Sequence, residues 1–185
     1  MQRSEAWALL NEWTKSKALI NHALSVEAAM RAYARRFGED EELWGLTGLL
    51  HDFDYERHPS LEDHPRLGAP VLRAGGVREE TVYAILAHGL DAAAPPRVSS
   101  MDKTLFAVDE LCGFIVAVAL VRPSKSLAEV EPGSVRRKMK DAAFARAVKR
   151  SDITDGASDL GLTLDEHIDV VLGAMKGIAR DLGLP

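Results

Sequence analysis

Two histidines and two aspartates, widely separated along the chain, have side chains that can bind a metal ion. They are His22, the dipeptide His51–Asp52, and Asp109. Imidazole nitrogen and carboxylate oxygen together form a mixed ligand set that suits Mn, Fe, Co, Ni or Mg in six-coordination as well as tetrahedral Zn. The single cysteine, Cys112, excludes a cysteine-rich zinc site. The first hypothesis is therefore a divalent metal centre with nitrogen and oxygen ligands.

Each of these residues also has an ordinary structural explanation. His51 at the end of an apolar segment can cap a helix, and Asp52 can begin a turn. A histidine near a helix start, such as His22, is often solvated or capping. Asp109 lies in the apolar segment 105–116, where a carboxylate requires an arginine partner or a bound cation to offset its desolvation. Metal binding accounts for all four residues together, whereas a buried ion pair accounts for Asp109 alone.

The hydrophobic pattern that must position these residues is helical along nearly the whole chain, and no alternating strand pattern is present. The spacing predicts helices over residues 4–17, 21–37, 39–51, 65–74, 78–87 and 99–121, short helical pieces through 149, and a last helix from 163. Asn21 is the expected cap of the second helix, Pro65 the expected first residue of the fourth, and 163–166 a capping box. Polar loops are expected at 53–65 and 91–99, and a turn at 155–156. These elements predict one all-α domain.

Composition excludes several classes of protein. The chain has 185 residues, of which 46% are hydrophobic and 28% charged, so it can form a buried core and is not a disordered segment. A net charge of -5 argues against a dedicated nucleic-acid-binding protein. Glu5 and Glu12 interrupt the N-terminal segment, which is untypical of a secretory signal, and the apolar segment 111–121 is too short to cross a membrane. We therefore expect a cytoplasmic protein.

The order His22, then the dipeptide His51–Asp52, then Asp109, each on a separate predicted helix, resembles the HD domain superfamily of metal-dependent phosphohydrolases. The resemblance covers residues 19–122 and implies that His22, His51, Asp52 and Asp109 are metal ligands. It also implies a single compact multi-helix HD-type bundle over residues 1–185, with a core at 19–122 and C-terminal helices, 123–185, packed on it.

Two further histidines resemble the second metal site of dinuclear HD proteins. His64 lies in a His-Pro-containing segment after the His-Asp dipeptide, and His88 ends the next helix. The resemblance implies that both bind a second ion and that Asp52 bridges the two ions. The pattern is similar to that of symmetrical dinucleoside tetraphosphate hydrolases and, more distantly, HD-GYP phosphodiesterases, from which it departs because Gly89 follows His88. A surface histidine and a helix-end histidine are the ordinary alternatives for His64 and His88.

Other polar residues are predicted to surround this site. Arg122, Lys125 and Arg66 are hypothetical contacts to a substrate phosphate, with a solvated surface as the alternative. Asp54 or Glu56 is a hypothetical proton donor to the leaving group, with loop solvation as the alternative. We expect His58 to be exposed or to face the substrate, and we expect His167 to be structural or exposed.

The ligand set predicts a metal-dependent phosphohydrolase that acts on a small phosphorylated metabolite, with a nucleotide as the narrower prediction. One or two divalent ions are expected, Mn or Fe first, with Mg, Co, Ni or Zn as alternatives. The alternative functions are a diiron oxygenase with the HD fold and a non-catalytic ligand-sensing HD module. No long nucleic acid and no membrane is expected as a partner, and the chain is expected to be a monomer or a homodimer.

Overall fold

The computed structural model describes residues 1–90 and 92–185. Asp91, the first residue of the predicted loop 91–99, lies outside the described residues. Throughout the described part of the chain the secondary structure is helical, with no strand. The helices are α1 (Arg3–Trp13), α2 (Lys17–Phe37), α3 (Glu41–Leu50), α4 (Ala69–Ala74), α5 (Glu79–His88), α6 (Ser100–Leu120), α7 (Pro132–Met139), α8 (Arg150–Asp159) and α9 (Leu164–Gly177). The predicted all-α fold class is confirmed.

Two long helices, α2 and α6, form the centre of the bundle. Helix α2 packs against α3, α6 and α9, and α6 also packs against α5, α8 and α9. The middle of α6 is apolar on most of its circumference, and Leu105, Leu111, Phe114 and Ile115 are fully buried. Since a helix that is apolar nearly all round must be covered on several sides, its neighbours lie on both flanks of α6.

Side-chain caps fix where several helices begin. Asp40 accepts hydrogen bonds from the backbone N–H groups of Glu42 and Leu43 at the start of α3. Thr163 and Glu166 form the predicted capping box at the start of α9. Each cap satisfies backbone N–H groups that the first turn of a helix leaves without a partner.

The start of α2 differs from the prediction. Helix α2 begins at Lys17 rather than after Asn21, because the Glu56 carboxylate accepts hydrogen bonds from the backbone N–H groups of Lys15 and Ser16 just ahead of it. The Asn21 side chain instead donates to the carbonyl oxygen of Leu182. The long-range contacts that decide this boundary are invisible to local sequence patterns.

Two other local predictions were wrong. Pro65 does not begin a helix: residues 61–68 form turns, and α4 begins at Ala69. Residues 155–156 do not form a turn but lie inside α8. The reason is packing, because a Cβ atom on Gly156 would come within 2.6 Å of the Cα atom of Ala107. Glycine at this position allows α8 to approach α6 closely, and it does not break the helix.

No helix in residues 1–90 and 92–185 combines the length and the apolar character that crossing a lipid bilayer requires.

Candidate metal centre

The carboxylate of Asp52 lies between two pairs of histidines. Its Oδ1 atom is 3.0 Å from Nε2 of His64 and 3.4 Å from Nε2 of His88. Its Oδ2 atom is 3.4 Å from Nε2 of His51 and 3.8 Å from Nε2 of His22. Because each oxygen faces a different pair, the two groups of possible metal ligands have Asp52 in common. This is the arrangement expected of a carboxylate that bridges two ions.

Asp109 extends the group that contains His22, His51 and Asp52. Its Oδ1 atom is 2.9 Å from Nε2 of His22 and 3.6 Å from Nε2 of His51. The two Nε2 atoms within each histidine pair are 3.2 Å apart for His22 and His51, and 3.3 Å apart for His64 and His88. Ligand atoms at about 2.1 Å from one ion are separated by roughly 3–3.4 Å, whether the ion is octahedral or tetrahedral. The donor spacing therefore fits one ion in each group.

In three of the histidines the Nδ1 atom, which faces away from the cluster, is held by a hydrogen-bond acceptor of the protein. Nδ1 of His51 donates to the carbonyl oxygen of Gly48 at 2.8 Å, and Nδ1 of His88 donates to that of Ile85. Nδ1 of His64 bonds Oδ1 of Asp54 at 2.8 Å. A carbonyl oxygen only accepts, so Nδ1 of His51 and of His88 carries a proton, and the electron pair of a neutral ring points from Nε2 into the cluster. This outer support is typical of histidines that bind metal ions.

The charges within the cluster shift its pKa values. Burial lowers the pKa of His64, but the hydrogen bonds with Asp52 and Asp54 outweigh it and raise the pKa to about 9. The pKa of His51 is raised well above its usual value in the same way: burial would lower it, but the charges of Asp52 and Asp109 and the hydrogen bonds with them outweigh the burial. Burial would raise the pKa of Asp109, but its bonds with His22 and His51 hold it well below the usual range. The cluster therefore favours positive charge beside its carboxylates, and protons and metal ions compete for the same nitrogen atoms.

Several helices deliver these residues to one place. His22 lies in the second turn of α2, not in the first turn as the sequence suggested, because that helix starts at Lys17. His51 is the C-terminal cap of α3, and His88 is the last residue of α5. Asp109 lies near the middle of α6. The donors thus belong to four elements that pack on one another, and to the turns that follow α3.

A glycine contact sets the distance between α2 and α3. A Cβ atom on Gly48 would come within 2.8 Å of the carbonyl oxygen of Val26 and 2.9 Å of the backbone nitrogen of Glu27. These are backbone atoms, so a larger residue would push the two helices apart. Gly48 therefore brings His51 close enough for its ring to contact that of His22, with ring centroids 5.1 Å apart.

The cluster opens into a cleft of about 320 Å³. Exposed apolar side chains, Tyr55, Leu61 and Leu90, line part of it. Apart from the metal-ligand carboxylates, its charged lining residues are Glu110 and Asp152, and none of the described residues that line it is lysine or arginine. Positive charge in this cleft must therefore come from the histidines or from bound cations.

Asp54 and Glu56 lie outside the lining of the cleft. Asp54 is fully buried behind His64, where its Oδ1 atom bonds the ring, and its Oδ2 atom faces Gly68. Glu56 is bound to backbone N–H groups ahead of α2, and these hydrogen bonds lower its pKa. Asp54 thus lies in position to orient His64, and the role of either carboxylate as a proton donor stays a prediction.

The three residues suggested to contact phosphate are also outside the cleft. Arg122 donates to the Ser134 hydroxyl at 2.8 Å and lines a separate cavity of about 350 Å³ with Arg137 and Lys138. Lys125 and Arg66 are exposed on the surface. The structure therefore does not bring these three side chains to the cluster of histidines and aspartates around Asp52.

The two remaining histidines are separate from the cluster. His167 is fully buried between the Tyr33 hydroxyl, 2.6 Å from its Nδ1 atom, and the carbonyl oxygen of Ala107, 2.8 Å from Nε2. His58 is half-buried, with its ring 6.2 Å from that of Trp13. His167 thus has the structural role that was one of its two expectations.

Glu110 and Asp152 were not predicted to be residues of the site. Burial, and then the neighbouring charge of Asp109, raise the pKa of Glu110 to about 7. Its position next to a predicted ligand in an apolar helix was a usable signal. Asp152 gave no such signal, because it is distant in sequence and only the packing of α8 on α6 brings it to the cleft.

Comparison with known proteins identifies the family of the chain. No curated protein and no solved structure shows a significant match to the chain. The family model of the HD domain matches residues 19–157, which is more than half of the chain and extends past residue 122 to include most of α8. The chain therefore belongs to the HD domain family, whose members are generally metal-dependent phosphohydrolases.

Proposed function

We propose that this protein is a dinuclear metal-dependent phosphohydrolase that acts on a small phosphorylated metabolite. The observation that carries the proposal is the position of Asp52, whose two carboxylate oxygens face different pairs of histidines. A site for one ion would not need a second pair of histidines at the other oxygen of Asp52. The residues that would hold the ions are His22, His51, Asp52 and Asp109 for one, and Asp52, His64 and His88 for the other.

The side chains fit divalent cations because imidazole nitrogens and carboxylate oxygens converge on one another inside the cluster. Nε2 of His51 faces Nε2 of His22, and Nε2 of His64 faces Nε2 of His88. Two neutral imidazole nitrogens with inward electron pairs repel each other unless a cation or proton lies between them. When bound, a pair of divalent ions supplies an activated water and neutralises charge on a phosphoryl group.

The chain itself fixes the geometry of this chemistry. Gly48, through its carbonyl, and Asp54, through its carboxylate, hold the rings of His51 and His64 in place. Leu61 and Leu90 supply part of the apolar lining of the cleft. Since no described lysine or arginine lines the cleft, we propose a substrate with a single phosphate; a nucleotide substrate would then be a monophosphate.

The imidazole-rich composition favours a second proposal. Four of the donors are histidines, and imidazole suits iron and zinc better than it suits magnesium. A diiron centre that activates dioxygen would use the same residues. Oxygen uptake, together with an absorption band of an oxidised diiron centre, distinguishes this function from hydrolysis, and a chain with neither activity would support the ligand-sensing alternative.

The experiment that tests the main proposal combines metal analysis with turnover of a generic phosphate ester. Purified protein should contain close to two equivalents of divalent metal and should hydrolyse p-nitrophenyl phosphate in the presence of Mn²⁺. Asp52→Ala removes the shared ligand, so we expect loss of both metal and turnover, on the order of a thousandfold in rate. Asp169→Asn, at an exposed position on α9, is the matched control and should change neither. Full turnover by Asp52→Ala would refute the proposal.

A further inference from the structure

The charged groups that line the cleft beyond the metal donors are both acidic. Glu110 follows Asp109 on α6, and Asp152 lies in the first turn of α8. A substrate phosphate is attracted to bound cations but repelled by these carboxylates. The part of the substrate that reaches them must therefore differ in charge from the phosphate.

Asp152 has an unsatisfied atom at this wall. The residue is 4% exposed, and its Oδ2 atom is buried without a hydrogen-bond partner among the described residues. An acidic residue in the first turn of a helix is favoured by the helix dipole, which explains a carboxylate at this end of α8. The dipole does not supply a donor to Oδ2, and buried polar atoms in folded proteins nearly always have one. The unpartnered atom thus points to a donor that comes with a ligand.

Among the described residues, the cation that binds Asp152 is on the surface. Nζ of Lys149 is 2.8 Å from Oδ1 of Asp152, and 62% of the Lys149 side chain is exposed. This exposed ion pair is weak, because solvent competes for both groups. Lys149 bonds Oδ1 and leaves the buried Oδ2 without a partner, so an ammonium group of a ligand held against the Asp152 side chain in the cleft would be its missing donor.

The rest of the cleft does not suit a second anionic group. Tyr55, Leu61 and Leu90 present apolar surface beside the metal donors. Arg97, whose guanidinium lies 3.7 Å from the ring centroid of Phe106, lines an adjoining cavity that shares Asp152 with the cleft. A second phosphate in the cleft would therefore lie against apolar or acidic side chains, because none of the described residues that line it is lysine or arginine.

Building on the proposed phosphohydrolase function, we infer that the substrate is a phosphate ester with a protonated amine, which Asp152 and Glu110 bind at the wall of the cleft. The phosphate faces the metal donors, and the ammonium group donates to the free oxygen of Asp152. The two carboxylates thereby select the leaving group and take no part in breaking the phosphate ester.

The test measures binding to the Mn²⁺-loaded protein by titration calorimetry. The probes are 3-aminopropylphosphonate, propylphosphonate and 3-phosphonopropionate, which share a phosphonate and differ in the charge of the other end. Their carbon–phosphorus bonds resist hydrolysis, so the measurement reports binding alone. We expect the amine to bind roughly tenfold more tightly than the propyl compound, since a hydrogen bond to a charged group is worth this much. The carboxylate should bind most weakly.

Variants assign the preference to particular residues. Asp152→Asn should reduce the advantage of the amine to about threefold or less, and Glu110→Gln should reduce it partly. Lys149→Met removes the competing cation and should tighten binding of the amine. Asp169→Asn, at an exposed position on α9 that lines neither the cleft nor the adjoining cavity, is the control for general surface charge and should have no effect.

The outcomes separate this inference from the function on which it rests. If the three probes bind equally well, or if Asp152→Asn keeps the full preference for the amine, the inference is wrong while the phosphohydrolase proposal stands. If none of the probes binds to the metal-loaded protein, phosphate recognition by the cluster is contradicted and both proposals fail. If Asp152→Asn alone binds none of the probes, Glu110→Gln decides the outcome. A reduced preference of that variant for the amine supports the inference, and an unchanged preference contradicts it.

Discussion

Buried histidines occur in two regions of this molecule, and their surroundings differ. Between α2, α6 and α9, His167 has an acceptor at one ring nitrogen and the Tyr33 hydroxyl at the other. In the cluster around Asp52, His51 has the carbonyl oxygen of Gly48 at Nδ1, but its Nε2 atom faces another imidazole and two carboxylates. Burial alone therefore does not identify a functional histidine. The distinguishing feature is a set of inward-facing nitrogens that lie against other groups able to bind metal.

The difference also appears in the direction of the pKa shifts. Burial lowers the pKa of His167, against a smaller effect of the carbonyl oxygen of Ala107. The pKa of His51 moves the opposite way, because Asp52 and Asp109 outweigh its burial. One histidine is kept neutral as part of the core, and the other lies in a site built for positive charge.

The sharpest test of the comparison replaces His51 and His167, one at a time, with alanine. We expect His51→Ala to lose metal and about a thousandfold of any hydrolytic rate. His167→Ala should keep its metal but lose about 2–4 kcal/mol of unfolding free energy, because it leaves a cavity and removes the partners of Tyr33 and Ala107. Metal content from elemental analysis and urea unfolding check both results. Loss of metal in His167→Ala would break the comparison.

A smaller effect is expected at Asp54, whose Oδ1 atom bonds the ring of the candidate ligand His64. Asp54→Ala should weaken metal binding by about ten- to hundredfold, the usual consequence of removing a group that supports a metal ligand. Asp54→Asn keeps an oxygen that accepts from Nδ1 of His64 and should restore much of the affinity. Competition with a chelating dye measures the affinity. A purely structural role would instead lower the stability of both variants and leave the affinity of the folded protein unchanged.

The smallest expected effect is a pH dependence of stability that belongs to His167. Because its pKa in the folded protein is below 6.5, the unfolded chain takes up a proton first as pH falls. Its contribution to stability is complete above about pH 6.5 and is lost as pH falls through the folded pKa. Urea unfolding of chelator-treated protein at about pH 7.5 and 5.5 should show a larger loss for the wild type than for His167→Gln. Equal losses would mean that burial does not keep His167 neutral.

The sequence alone was sufficient for the residues that could bind metal and for the helices that carry them. Histidine and aspartate are recognisable by type, and apolar periodicity reveals a helix without reference to its neighbours. The cap at Thr163 and the long apolar helix α6 were predicted for the same reason, since both depend on residues close together in the chain.

Features that depend on distant contacts could not be predicted in this way. The carboxylate of Glu56, about 40 residues further along the chain, binds the backbone just ahead of α2 and so sets where that helix begins. Gly156 lies in a helix because Ala107 on α6 packs against it. Asp152 reaches the cleft only through the packing of α8, whereas Arg122 is directed into another cavity.

What the sequence by itself determined is the inventory of the site: its ligand types, their order and the helical elements that present them. The tertiary structure alone decided which atoms meet, that Asp52 faces two histidine pairs, and that the wall beside them is acidic. The physical reason is that residue type and periodicity are local properties. Distances between ligand atoms and the charge of a cleft, in contrast, arise only when helices from distant parts of the chain pack together.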